Sequence, residues 1–280
     1  MDDRPIGMFD SGFGGLTVAR ALIDLLPEEN LVYVGDTGRY PYGPRPLDEV
    51  RGFARQIMAK LVDDHDVKMV VVACNTAAAA GLDDLCDRVA VPVISVVEPG
   101  LRAARRATET GRIGVIGTVG TIRSGAYQRS MLDLDPGGEI ELTCAACPGF
   151  VEFVERGETG SDQVYVLAER LLAPIREAKV DTLLLGCTHY PFLARTISDV
   201  VGRDVVLVSS AEETAFEMRA ALEGTALRRQ GATPGAHIWI SSGDAHTFRR
   251  LGRGLLGPEL DRVEAWDPPP PAGTGPSGAP

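Results

Sequence analysis

No stretch of this chain approaches 18 uninterrupted apolar residues, so no membrane-spanning helix is expected. Nor does Met1-Asp2-Asp3-Arg4-Pro5 carry a signal-peptide pattern, and the location expected is cytoplasmic. Basic charge is scarce: 28 Lys and Arg stand against 39 Asp and Glu, a formal net charge of -11. That balance argues against broad binding to nucleic acid or to an anionic membrane, and an anionic ligand would need a local site. Cysteine is too sparse for a disulfide framework, with 5 in 280 residues, so each is judged singly. Cys86 has helical spacing from Leu82 and Val89, which predicts core packing. Cys144 and Cys147 form a C-x-x-C, but no second pair is spaced to complete a zinc site and no thioredoxin-type helix follows. No metal site is expected there.

Two apolar runs end abruptly in chemistry. Met69-Val70-Val71-Val72-Ala73 leads into Cys74-Asn75-Thr76, and Leu183-Leu184-Leu185-Gly186 leads into Cys187-Thr188-His189. Short runs without alternation fit parallel strands covered on both faces, and in open α/β sheets the ligand crevice lies beyond the carboxyl ends of such strands. Upstream of each run lies another strand-like segment that ends in a glycine-containing turn: Ile6-Gly7-Met8-Phe9-Asp10-Ser11-Gly12 and Ile113-Gly114-Val115-Ile116-Gly117-Thr118. From Ile6 to Cys74 is 68 positions and from Ile113 to Cys187 is 74. Two half-chains of matching design predict an internal duplication with approximate twofold symmetry. At 280 residues, 44% hydrophobic and 24% charged, the chain can hold two globular domains.

In chain order, strand, glycine turn, helix (about 16–26), strand and Asp36 imitate a dinucleotide-binding unit. Gly12-x-Gly14-x-x-Thr17 lacks the third glycine, however, and Asp10 puts negative charge where a pyrophosphate would sit. Thr37 to Pro46 is loop by its prolines and glycines, with aromatics that could line or cover a pocket. Helices are predicted over about 47–64, 77–89, 101–108, 122–132, 162–178 and 211–222, with a further strand at 93–96. Glu98-Pro99-Gly100 reads as a boundary between halves. Strands are predicted at 140–143 and 205–208, and a last one, His237 to Ser241, that could rejoin the first domain. From Asp267 the Pro-, Gly-, Ala- and Ser-rich sequence is expected to be a disordered tail. The expected architecture is α/β: two pseudo-symmetric doubly wound parallel-sheet domains with the active site between them. The first comprises 1–97 plus 209–266, the second 98–208, and the tail 267–280.

Two cysteines can serve disulfide exchange, metal binding or proton transfer. Only proton transfer on opposite faces of a carbon calls for one thiol from each equivalent half. To invert a stereocentre, one base takes the proton from one face while an acid returns a proton to the other. Asp10 and His189 are the neighbours that could tune the thiols: a carboxylate raises a thiol pKa and a protonated imidazole lowers it.

Asp10-Ser11-Gly12-x-Gly14-Gly15, Pro41-Tyr42-Gly43, Cys74-Asn75-Thr76 and Gly186-Cys187-Thr188-His189-Tyr190-Pro191 closely resemble the motifs of the glutamate racemases, in order and spacing, over about residues 6–266. The resemblance implies cofactor-independent interconversion of L- and D-glutamate, supplying D-glutamate for peptidoglycan. It implies that Cys187 takes the α-proton of L-glutamate and Cys74 that of D-glutamate, with Asp10 and His189 assisting. A further helper acid falls on Glu155, with Glu152 the alternative. Ser11, Tyr42, Gly43, Asn75, Thr76, Thr118, Thr121, Thr188 and His189, with Asp10, would hold the substrate, chiefly through neutral donors. A homodimer is implied, and DNA gyrase is a partner of some members. The competing readings are a racemase acting on aspartate and a non-catalytic binder of small acids.

Overall fold

The computed structural model describes residues 2–223, 225–231 and 233–270. Within them the chain builds two wholly parallel sheets, as the uninterrupted apolar runs require. The strands are β1 (Ile6–Asp10), β2 (Leu31–Gly35), β3 (Met69–Val72), β4 (Val93–Ser95), β5 (Arg112–Gly117), β6 (Glu141–Ala146), β7 (Thr182–Gly186), β8 (Val206–Val208), β9 (His237–Ser241) and β10 (Val263–Ala265). Every residue of β1, β2, β3 and β7 is buried, whereas the edge strands β6, β8 and β10 keep some residues exposed.

One sheet runs β10-β9-β2-β1-β3-β4 and the other β6-β5-β7-β8. Removing β9 and β10 from the first leaves 2-1-3-4, the same order as 6-5-7-8, so the duplication read from the sequence is present in the topology. Register makes the equivalence residue by residue. Ile6 pairs with Met69 and Ile113 with Thr182; Cys74 lies five residues beyond Met69, and Cys187 five beyond Thr182. The strand 237–241 does join the first sheet, beside β2.

Helices cover the sheets with apolar stripes. Helix Leu16–Leu25 buries Leu16, Val18, Ala19, Leu22 and Ile23, and the chain turns away at Pro27. Helix Ala211–Leu222 returns from the second half to pack on that helix and on Val97–Ala107.

Several predicted elements differ from those observed. Glu98, Pro99 and Gly100 belong to the first turn of helix Val97–Ala107, since proline is tolerated there. The predicted helix 77–89 is two short ones, Asn75–Ala79 and Leu82–Cys86, broken where Gly81 adopts φ +138°. In that second short helix Leu85 takes the core position and Cys86 is exposed, contrary to the packing expected of it. Predicted helix 122–132 likewise divides into Val119–Arg123 and Ala126–Leu134 at Gly125, φ +70°. Helix Ala245–Leu256 and β10 were not foreseen. The predicted tail lies outside the described residues from 271; before that, Gln56 donates to the Pro270 carbonyl at 3.3 Å.

The C-x-x-C is no redox or metal pair. Cys144 and Cys147 lie three apart along extended chain, which sends their side chains to opposite faces of the sheet, and they pack in different cores. Among the described residues no group of three His, Cys, Asp or Glu could hold a metal ion, and no helix is long and apolar enough to cross a membrane.

Candidate active site

In both sheets the strand order reverses beside the first strand of the half, between β1 and β3 and between β5 and β7, and ligand crevices form beyond the carboxyl ends at such points. The chain places its chemistry there twice. Asp10 ends β1 and Ser11 follows it, Cys74 follows β3, Thr118 follows β5 and Cys187 follows β7. Ten of the predicted site residues line one cavity: Ser11, Tyr42, Gly43, Cys74, Asn75, Thr76, Thr118, Cys187, Thr188 and His189. It measures about 70 Å³, several times what one water requires. No lysine or arginine lines it.

Both thiols border the cavity yet are nearly out of solvent, Cys74 at 4% and Cys187 at 7% exposure. Each precedes a helical turn. The N–H groups of Ala77 and Ser11 and the Ser11 hydroxyl favour the Cys74 thiolate, and those of His189 and Tyr190 favour the Cys187 thiolate. Burial outweighs these influences. It pushes the Cys74 thiol up to about 12, with the Asp10 carboxylate adding to the rise, and pushes Cys187 higher still, with Cys74 and Asp10 adding. At neutral pH both are held as thiols.

Asp10 is fully buried behind the cavity. One oxygen accepts from the Gly12 N–H at 2.8 Å; the other accepts from the Thr188 hydroxyl of the opposite half at 3.2 Å. Burial raises its pKa, and His189 opposes the rise. His189, 2% exposed, has Nε2 3.0 Å from Glu155 Oε1, and its ring meets the edge of Phe13 at 5.0 Å and the tilted ring of Tyr40 at 6.1 Å. This packing needs Gly14, because a Cβ there would lie 2.5 Å from Thr188 Oγ1 and 2.6 Å from His189 Nδ1. Glu155 does not line the main cavity; it faces a neighbouring one with Asp244 and Phe248. On the same helix, Phe150–Glu155, Glu152 is the acid that lines the main cavity.

Across the site, the hydroxyls of Thr76, Thr118 and Thr121 form a closed ring at 3.0–3.1 Å. Thr121, wholly buried, supports the other two from behind. Tyr42 lines the cavity, but its hydroxyl is donated to Asp36, so its ring and backbone face the site. Gly43 closes on the other half: its carbonyl accepts from Gly120 at 2.9 Å, and a Cβ would sit 2.8 Å from Thr118 Cβ. Cys147-Pro148-Gly149 forms a third wall, with the side chains of Val119, Val151 and Tyr40 beside it; sequence reading placed the segment from Pro148 near a pocket rim but missed Cys147 and Val119. The duplication could have found the first: Cys147 follows β6 as Asp36 follows β2. Tyr40 was flagged only as part of an aromatic loop.

Residues 16–216 match the family model described as Asp/Glu/Hydantoin racemase. The glutamate racemase of Acidothermus cellulolyticus is 50% identical over 264 residues, 94% of this chain and 99% of that protein. The crystal structure of glutamate racemase isoform RacE1 from Bacillus anthracis superposes with a TM-score of 0.88 at 38% identity, covering 97% of this chain and 99% of that one. The glutamate racemase of Francisella tularensis in complex with D-glutamate gives 0.86 at 31%, covering 95% and 98%.

Proposed function

This chain belongs to the Asp/Glu/hydantoin racemase family, and we propose that it is a glutamate racemase transferring protons between substrate and two thiols, Cys74 and Cys187. The observation that carries the reading is that two buried thiols, at register-equivalent strand ends of duplicated halves, border one cavity. The relatives at 50% and 38% identity that are named glutamate racemase supply the substrate.

A thiol held protonated suits the acid role as it stands. The base role requires a thiolate, and the α-ammonium of a bound amino acid, placed between the sulfurs, supplies the positive charge that favours it. With L-glutamate, Cys187 as thiolate takes the α-proton and the Cys74 thiol delivers its own to the other face, giving D-glutamate, a Cys187 thiol and a Cys74 thiolate; the reverse reaction exchanges the roles. The negative charge developing toward the α-carboxylate is met by neutral groups on the cavity wall, chiefly the hydroxyls of Ser11, Thr76, Thr118 and Thr188, which turn to the substrate from their present partners, and the backbone at Gly43. Asp10 assists on the Cys74 side and His189 on the Cys187 side. Glu155 acts through His189, whose ring it orients. D-glutamate would serve peptidoglycan synthesis.

The test is loss of optical rotation from L-glutamate without added cofactor, and α-proton exchange in deuterated water with glutamate and aspartate in parallel. Glutamate exchange is expected in the native protein, and a fall of at least about a hundredfold in Cys74→Ser and in Cys187→Ser. Exchange with aspartate alone would overturn the substrate assignment, and full racemisation by either serine variant would overturn the mechanism.

A further inference from the structure

Asn75 follows Cys74, is 3% exposed and lines the cavity. Its Nδ2 donates to the Tyr127 hydroxyl at 2.8 Å, across from the first half of the chain to the second. Its Oδ1 is buried and has no hydrogen-bond partner among the described residues. A buried acceptor left unpaired costs free energy, and such an atom on a cavity wall marks where a donor belongs. Tyr127 is itself 1% exposed, on helix Ala126–Leu134, and its hydroxyl stands over Gly186, where a Cβ would come within 2.8 Å of it. One phenol thus touches the residue after the first thiol and the residue before the second.

We propose that Tyr127 is a positioning residue that fixes the Asn75 amide with Oδ1 toward the cavity, as the acceptor for the α-ammonium of the amino acid substrate. With Nδ2 donated to the Tyr127 hydroxyl the amide presents Oδ1 to the cavity, an acceptor facing a donor; the phenol can bond either end of the amide, so Tyr127 holds the amide plane in place and the ammonium selects the oxygen. The tie also depends on the two halves being closed, so the ammonium site is complete only when both thiol loops are in place. The assignment rests on the amino acid racemase reading.

The experiment compares wild type, Tyr127→Phe, Asn75→Ala and the double variant on L- and on D-glutamate. Tyr127→Phe removes one oxygen and keeps the ring. The ammonium is present in ground and transition states alike, so KM rises roughly five- to tenfold for both enantiomers while kcat changes less. In the Asn75→Ala background the Tyr127→Phe effect disappears, because the tyrosine works through that amide. The chain has only two asparagines, Asn30 and Asn75, so asparagine-selective ¹⁵N labelling resolves the Asn75 side-chain amide. Its shift and proton exchange change in Tyr127→Phe whether or not turnover survives. An unchanged KM, additive effects in the double variant, or an unaltered Asn75 amide signal would each overturn the proposal. If wild type leaves glutamate untouched, the racemase reading fails first and this assignment with it.

Discussion

A buried thiol is a weak acid, and that decides how the two cysteines behave before any substrate arrives. Burial, with Asp10 beside it, raises Cys74 to about 12 from an ordinary 9, and burial likewise raises Cys187. Alkylation needs the thiolate, so site-specific labelling by iodoacetamide, read by mass spectrometry, is expected to rise about tenfold per pH unit from pH 8 to 10 at both positions without a plateau. A plateau near pH 7 would mean an activated resting thiolate. Stability follows with the same sign. The raised Cys74 pKa costs nothing below 9, and the native state loses ground as pH climbs from there toward 12, since the unfolded thiol ionises first. The thiols were legible in the sequence because each ended an apolar run. Cys86 was misread because helical spacing alone does not say which face is covered, and Leu85 took the core. Nor could sequence separate Glu152 from Glu155: three residues apart on one helix, they face different cavities.

Among the elements, the loop from Thr37 to Pro46 shows how the C-terminal part of the chain reaches the site. The buried carboxylate of Asp36, just past β2, accepts from Arg39, from Tyr42 and from Ser242 beyond β9. Thr37 and Ser241 hydroxyls are 2.7 Å apart, and the Gly38 N–H donates to Ser242 at 2.9 Å. The Arg39 guanidinium lies 4.3 Å over Phe53 and 5.7 Å from Trp266 past β10. Tyr40, Tyr42 and Gly43 of this loop form one wall of the cavity. Trp266→Ala, outside the cavity lining, is therefore expected to raise KM about two- to fivefold with little loss of kcat, the scale of a cation–π contact. Unchanged kinetics would mean that the loop holds its shape without β10. The loop was legible from its prolines and glycines; its clasp was not. Strand β10 is three residues, Val-Glu-Ala, with too little apolar pattern to register. Helix Ala245–Leu256 hides its buried stripe, Phe248, Gly252 and Leu256, among arginines and glycines, although Asp244, which accepts from the Thr247 N–H at 2.7 Å, was a readable N-cap.

At the scale of the whole molecule, duplication does for stereochemistry what no single half can. Each half delivers its thiol from the strand beside its switch point, and the cavity joins them, so in the proposed reaction a proton removed by one sulfur need not be the proton returned by the other. That separation has an isotopic signature. When L-glutamate turns over in deuterated water, the acid thiol has already exchanged with solvent, so early D-glutamate should carry one deuterium at the α-carbon while recovered L-glutamate carries little. A single base reaching both faces would instead return part of the abstracted proton, leaving unlabelled product at early times. Mass-resolved chiral chromatography below about 10% conversion, before back reaction mixes the pools, separates the two. Unlabelled D-glutamate at that stage would place one sulfur on both faces, which two thiols fixed to register-equivalent strand ends of separate sheets cannot reconcile.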